Sequence, residues 1–527
     1  MVTTRRLVVF FFMLAAFGCN QHAEVKLQTP TGPINGIQTD GVQRFLGIPY
    51  AETTAGDNRW RPPVQLAPWQ DVFLANEFGP WCPQFDYERR DEGEVYSGEG
   101  WSIFRNVPPN ELSDEDCLHL NVFTTPPTNT LKPVMVFLHG NALGSSFPMY
   151  DGTDVAKAGI VYVSINYRLH TMGIFAHPAL TAEASADQPL GRYSEMDRLA
   201  ALRWVQRNIS AFGGDPNQVT LAGNSEGGAA ILQLLGNENA EGLFHRAIVQ
   251  SGNGWWEPLH HRQHEQLGCY LADLAKLDGC NATSIELRNL HWSAIPASGP
   301  YSIDHRGVKK GATQALETGQ TFDVPLLIGW NDFDGSSLRY SAQEVIDHTH
   351  PDVLATYDTD QDSESLAYEI YTDLHSGAPA RWVAHQLEDG KPVYLYLFSY
   401  VPSWDRDRVR GAEHGYELPH ALATFEEQIN DIFPFLAAYL LEDDDRAMTR
   451  IMHQCWMSFV KHGKPTCPNA PEWPRYRREH DQLMELNLTP KVRDGFRAAQ
   501  LNAQERYKSH YLDQARESIQ KLLEDGI

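Results

Sequence analysis

Positive charge is scarce in this chain: 43 Lys and Arg stand against 68 Asp and Glu, a formal net charge of -25. A surface so acidic repels phosphate backbones, so no nucleic-acid partner is expected and solubility is the simplest role for the charge. Metal-ligand spacing is missing too. There is no Cys-x-x-Cys and no His/Cys cluster, so no structural metal is expected. The apolar run Leu7 to Phe17 is too short to cross a bilayer, so no transmembrane span is expected. Internal repeats and long linkers are absent as well, which argues for one main domain.

What is present suits a large, well-packed fold. The 527 residues are 42% hydrophobic and 11% aromatic, ample for an extensive core. Arg5 and Arg6 before the apolar run read as a signal peptide over residues 1–18. Gly18-Cys19 resembles a bacterial lipoprotein cleavage box, with Cys19 as a lipid-anchor site; ordinary secretion is the alternative. Either way the protein is expected to be exported: periplasmic, secreted, or anchored to the outer membrane. Setting Cys19 aside leaves six cysteines, an even number that suits an oxidising compartment. The simplest pairing is sequential: Cys82–Cys117, Cys269–Cys280 and Cys455–Cys467.

Residues 26–47 read as short strands broken by Thr31-Gly32-Pro33 and Asp40-Gly41. Apolar runs then alternate with helical stretches. Strands are expected over 118–123, 134–138, 160–165, 245–252, 325–329 and 392–398, and a helix over 195–210 with Leu199, Leu202, Val205 and Ile209 on one face. Strands separated by helices predict an α/β fold with a mostly parallel central sheet flanked by helices. The domain is read as 24–490, followed by a charged helical tail over 491–527 whose charges form a solvated face.

Chemistry concentrates around Gly223-Asn224-Ser225-Glu226-Gly227. A β-branched run enters this Gly-x-Ser-x-Gly and a helix-compatible run leaves it, the pattern of a nucleophile elbow that holds Ser225 on a sharp corner. A serine hydroxyl needs a base, and the base needs an acid to fix its tautomer. In this fold class they follow in the order Ser, acid, His. His414, in Glu413-His414-Gly415, is the base candidate, and His420 nearby is read as structural. Asp334 follows the strand 325–329 and is the acid candidate, with Asp332 its competitor on position alone. The oxyanion loop is expected in His139-Gly140-Asn141-Ala142, with either Asn141 and Ala142 or Gly140 and Asn141 as donors. Trp255-Trp256 is a pocket candidate, with core packing the plainer reading.

These segments resemble the type-B carboxylesterase/cholinesterase family of α/β-hydrolases. Phe45-Leu46-Gly47-Ile48-Pro49-Tyr50-Ala51, Glu115-Asp116-Cys117-Leu118-His119-Leu120-Asn121, Asn166-Tyr167-Arg168, Phe212-Gly213-Gly214-Asp215-Pro216, the Ser225 elbow, Gln250-Ser251-Gly252 and His414-Gly415-Tyr416-Glu417 stand in the family's order. The resemblance implies an α/β-hydrolase fold. It makes Ser225 the acyl-forming nucleophile, His414 the general base, Asp334 the triad acid, and the N–H of Glu226 one oxyanion donor. It also matches the first two disulfides; Cys455–Cys467 rests on proximity. Two departures stand out. The family elbow usually reads Gly-Glu-Ser-Ala-Gly, so a carboxylate is lost before the serine and gained after it. The usual His-Gly-Gly-Gly loop is shortened. The expected activity is hydrolysis of small-molecule carboxylic esters through an acyl-enzyme, without cofactor. The alternatives are a cholinesterase-like binding protein without catalysis and a lipase-like hydrolase for bulky esters.

Overall fold

A computed structural model describes residues 23–84, 113–140, 144–185, 188–255, 258–295, 302–303, 310–338, 340–426 and 441–525. The leader, Cys19, Asn141, Ala142 and Trp256 lie outside these residues. No described helix is long and apolar enough to cross a membrane.

A 13-stranded mixed sheet runs through the described chain. Its strands are β1 (Ala23–Thr29), β2 (Gly32–Thr39), β3 (Val42–Pro49), β4 (Phe73–Leu74), β5 (His119–Thr124), β6 (Lys132–Leu138), β7 (Val161–Ile165), β8 (Gly214–Asn224), β9 (Arg246–Gln250), β10 (Leu326–Asn331), β11 (Val393–Phe398), β12 (Gln482–Leu486) and β13 (Lys491–Asp494). The spatial order is β1-β2-β3-β5-β7-β6-β8-β9-β10-β11-β12-β13, with β4 beside β2. From β7 to β12 every neighbouring pair is parallel; β1, β2, β3 and β5 form an antiparallel edge, and β12–β13 is an antiparallel pair at the other.

The central strands are apolar on both faces because both faces are covered. In β6, Val134, Val136 and Leu138 join one core cluster while Met135 and Phe137 join the other. Helix α1 (Tyr193–Asn208) packs Leu199, Leu202, Trp204 and Val205 into the first cluster. A long helix, Asp443–His462, packs Met448, Met452, Trp456 and Phe459 into the second. Pro133 cannot donate a ladder hydrogen bond, and the β6–β8 register shifts between Lys132 and Val134. Before the irregularity Lys132 pairs with Gly214, so β8 already begins ahead of Asp215-Pro216.

All three sequential disulfides form: Cys82–Cys117, Cys269–Cys280 and Cys455–Cys467. The tail differs from its expectation. Lys491–Asp494 is a strand of the sheet, and helices Ala498–Arg506 and Lys508–Asp525 turn part of their charge inward. Glu505 takes the Arg381 guanidinium at 2.7 Å and lies 3.0 Å from His385 Nδ1. Lys508 Nζ sits 4.1 Å from the Trp382 ring centroid.

Candidate active site

The carboxyl ends of adjacent parallel strands collect the chemistry, as open α/β sheets do. β8 ends at Asn224, and helix α2 (Glu226–Leu235) begins two residues later. Ser225 between them holds φ 56° and ψ -121°, a backbone conformation L-residues rarely adopt. Sterics show why glycines flank it. A Cβ on Gly227 would stand 2.2 Å from the Leu138 carbonyl oxygen, and one on Gly223 would stand 2.7 Å from the Gly227 carbonyl carbon. Strand and helix can cross this closely only without side chains. The Ser225 N–H donates to the Gln250 carbonyl at 2.8 Å, pinning the corner to β9. Glu226 is the first residue of α2, so its N–H has no carbonyl four residues back within the helix.

Asp334 lies three residues beyond β10 and is 2% exposed. One carboxylate oxygen accepts from His414 Nδ1 at 2.8 Å, and the other accepts from the Asn331 N–H at 3.2 Å. Asp332 is exposed and accepts from the Ala412 N–H at 2.7 Å. The two aspartates therefore divide their work: Asp334 faces the imidazole, and Asp332 braces the loop that carries it. That loop is tied down further. The Phe333 N–H donates to the Ala412 carbonyl at 3.1 Å, and the His414 N–H donates to Ser336 Oγ at 2.9 Å. With Nδ1–H donated to a carboxylate, the His414 ring has Nε2 left as its acceptor.

His420 is fully buried beside Phe398, Tyr400 and Phe425, with its Nδ1 2.8 Å from Thr449 Oγ1. Burial pushes its imidazole down to about 3. It is a neutral core histidine, as its setting in the sequence implied.

Beneath the corner lies a group to which sequence reasoning gave no role. Glu417, on helix Glu417–Leu422, is fully buried. Its Oε1 accepts from Asn224 Nδ2 at 2.9 Å and Gln250 Nε2 at 3.1 Å, and its Oε2 accepts from Asn331 Nδ2 at 2.5 Å. One carboxylate thus ties the ends of β8, β9 and β10 together. Burial, reinforced by the charge of Asp334, raises its carboxyl above the ordinary value, while the Asn331 hydrogen bond and His414 oppose the shift. The signal was in the sequence as polar residues at the ends of apolar strands, but only the fold shows that they converge.

On the oxyanion side, Gly140 sits directly over the corner, where an added Cβ would come 3.3 Å from Ser225 Cβ. His139, at the end of β6, is buried, and burial pushes its imidazole down to about 4. The neutral ring donates Nδ1–H to the Gly140 carbonyl at 2.8 Å and stacks on Tyr167 at 4.6 Å. The Tyr167 hydroxyl donates to the His139 carbonyl at 2.5 Å. Trp255 is buried edge-on to Trp382, in agreement with core packing. Among the described residues no group of side chains could hold a metal ion.

Known proteins share this architecture and sequence. The Carboxylesterase family model matches residues 23–351 and 339–504. The fumonisin B1 esterase of Sphingopyxis macrogoltabida is 31% identical over 488 residues, spanning 85% of this chain and 84% of its own. The para-nitrobenzyl esterase of Bacillus subtilis (strain 168) is 31% identical over 491 residues, spanning 87% and 94%. Among solved structures, a thermophilic PNB esterase superposes with a TM-score of 0.76 at 26% identity, covering 91% of this chain and 99% of its own.

Proposed function

The chain belongs to the carboxylesterase family and is a serine carboxylesterase, and from that premise we propose that it cleaves small-molecule esters through Ser225, His414 and Asp334. The observation that carries this reading is the 2.8 Å hydrogen bond between buried Asp334 and His414, set at the same sheet edge as the strained Ser225 corner. Asp334 holds the His414 tautomer in which Nε2 is the acceptor for the Ser225 proton. Ser225 Oγ then attacks the ester carbonyl, and the tetrahedral oxyanion forms against the N–H of Glu226 and the loop that starts at Gly140. His414 returns the proton to the departing alcohol. Water, activated by the same imidazole, releases the acid from the acyl-enzyme.

The test is covalent labelling with a serine-directed phosphonate, mapped by mass spectrometry, beside turnover of a short-chain chromogenic ester. A single adduct on Ser225, and loss of turnover in Ser225→Ala, are expected. An adduct elsewhere, or none, overturns the mechanism. We also infer export, supported by the three disulfides and by the charged-then-apolar N-terminus.

A further inference from the structure

Arg198 is fully buried on α1. Its guanidinium carbon lies 4.7 Å from the Tyr167 ring centroid, and the side chain hydrogen-bonds the Tyr167 hydroxyl. That hydroxyl in turn donates to the His139 carbonyl, one residue before Gly140. A relay therefore runs from a sealed cation to the peptide that bears the Gly140 N–H.

A guanidinium taken out of water needs a counter-charge, because its desolvation is not repaid by a ring face and a neutral hydroxyl. Asp197, next in sequence, is already occupied: Arg168 places Nε at 2.8 Å and Nη2 at 2.7 Å on its two oxygens, and the Arg168 N–H adds a third bond at 3.1 Å. The carboxylate whose field reaches Tyr167 is Glu226, the residue after the nucleophile. Glu226 raises a difficulty of its own. A carboxylate one residue from the nucleophile opposes a developing oxyanion unless a cation holds and neutralises it.

We propose that Arg198 and Glu226 form a charge pair that positions the oxyanion hole, Arg198 bracing the loop through Tyr167 while drawing the Glu226 carboxylate away from the oxyanion. Arg198 is thus a positioning residue. The proposal rests on Ser225 being the nucleophile.

Arg198→Met keeps the length and removes the charge. It should lower kcat by roughly 10- to 100-fold with KM held within about twofold, because the lost interaction belongs to the transition state. Adding Glu226→Gln to Arg198→Met should restore kcat by at least about fivefold, since the uncompensated carboxylate is then gone. Arg198→Lys, which keeps the cation, should stay within about tenfold of the parent enzyme. Phosphonate labelling of Ser225 should slow in parallel with kcat. If Arg198→Met does not fold, Arg198→Gln with and without Glu226→Gln reads the same coupling. A double variant no faster than its single Arg198 parent overturns the proposal, as does an unchanged kcat in Arg198→Met. If the unmutated enzyme is not labelled at Ser225, the nucleophile assignment fails instead, and the two failures are distinct.

Discussion

Replacing Asp334 by Asn removes one charge and leaves the shape of the side chain unchanged. In the folded protein its two oxygens face two donors, His414 Nδ1–H at 2.8 Å and the Asn331 N–H at 3.2 Å. An amide has one acceptor and one donor end, so it cannot serve both. With its oxygen toward Asn331, the amide N–H faces Nδ1 and forces the proton onto Nε2, where the ring can no longer accept from Ser225. With its oxygen toward His414, two N–H groups collide at Asn331 in a site that is 2% exposed. Either state costs more than the lost attraction alone. The expected drop in kcat is about 10,000-fold, or roughly 5 kcal/mol of transition-state stabilisation. Steady-state turnover of a short-chain p-nitrophenyl ester measures it, with thermal unfolding to show that the fold persists. The control is Asp332→Asn, whose exposed side chain accepts only from the Ala412 N–H among the bonds described, so its kcat should stay within about tenfold. Activity of Asp334→Asn within about tenfold of the parent would refute the assignment of the acid.

Three other perturbations probe the frame. Glu417→Gln replaces one acceptor oxygen by a donor, leaving either Asn331 or the Asn224–Gln250 pair without its acceptor; each donor left unmet costs about 1–3 kcal/mol, so denaturant melts should lose at least that much and kcat should fall, and unchanged stability would sink the claim that Glu417 ties the strand ends. Gly227→Ala sets a Cβ 2.2 Å from the Leu138 carbonyl and 2.8 Å from that of His139, and should give inactive or insoluble protein; a soluble variant with the parent's kcat would contradict the close crossing. Burial pushes the imidazoles of His139, His264 and His420 down from 6.5 to about 4, 3 and 3. They stay neutral in the folded chain where unfolded histidines bind protons, so their contribution is complete above pH ~6.5 and is lost as pH falls toward ~4, at up to roughly 1.4 kcal/mol per pH unit each. Urea midpoints that stay flat between about pH 7 and pH 4.5 would refute this, and His264→Phe should remove one share of the slope.

The elbow was readable from residues because its constraint is local: glycine where two backbones cross leaves a mark in the sequence. The proposed base stood out by chain order and a flanking glycine. The proposed acid was named less sharply, since Asp332 and Asp334 both follow the same strand; the hydrogen bond to His414 and burial set Asp334 apart. Glu417 and Arg198 escaped for a related reason. Their partners lie on other strands and loops, and no spacing rule joins Asn224 to Glu417 or Arg198 to Tyr167. The strand pair Gln482–Leu486 and Lys491–Asp494 was missed because the second strand is short and charged, an edge shielded against further pairing. The tail's inward charge was missed because Glu505 and Lys508 look like any solvated helix residue until Arg381 and Trp382 are placed beside them.

The Cys82–Cys117 bridge closes a segment whose ends lie only 4.9 Å apart at Cα, with a sequence separation of 35. Polymer statistics make such a segment cheap to rewrite: doubling its length would add only about 0.6 kcal/mol of closure entropy. The length of chain between the two cysteines can therefore change at little entropic cost to the bridge, and a designer could graft a foreign segment between the two sulfurs.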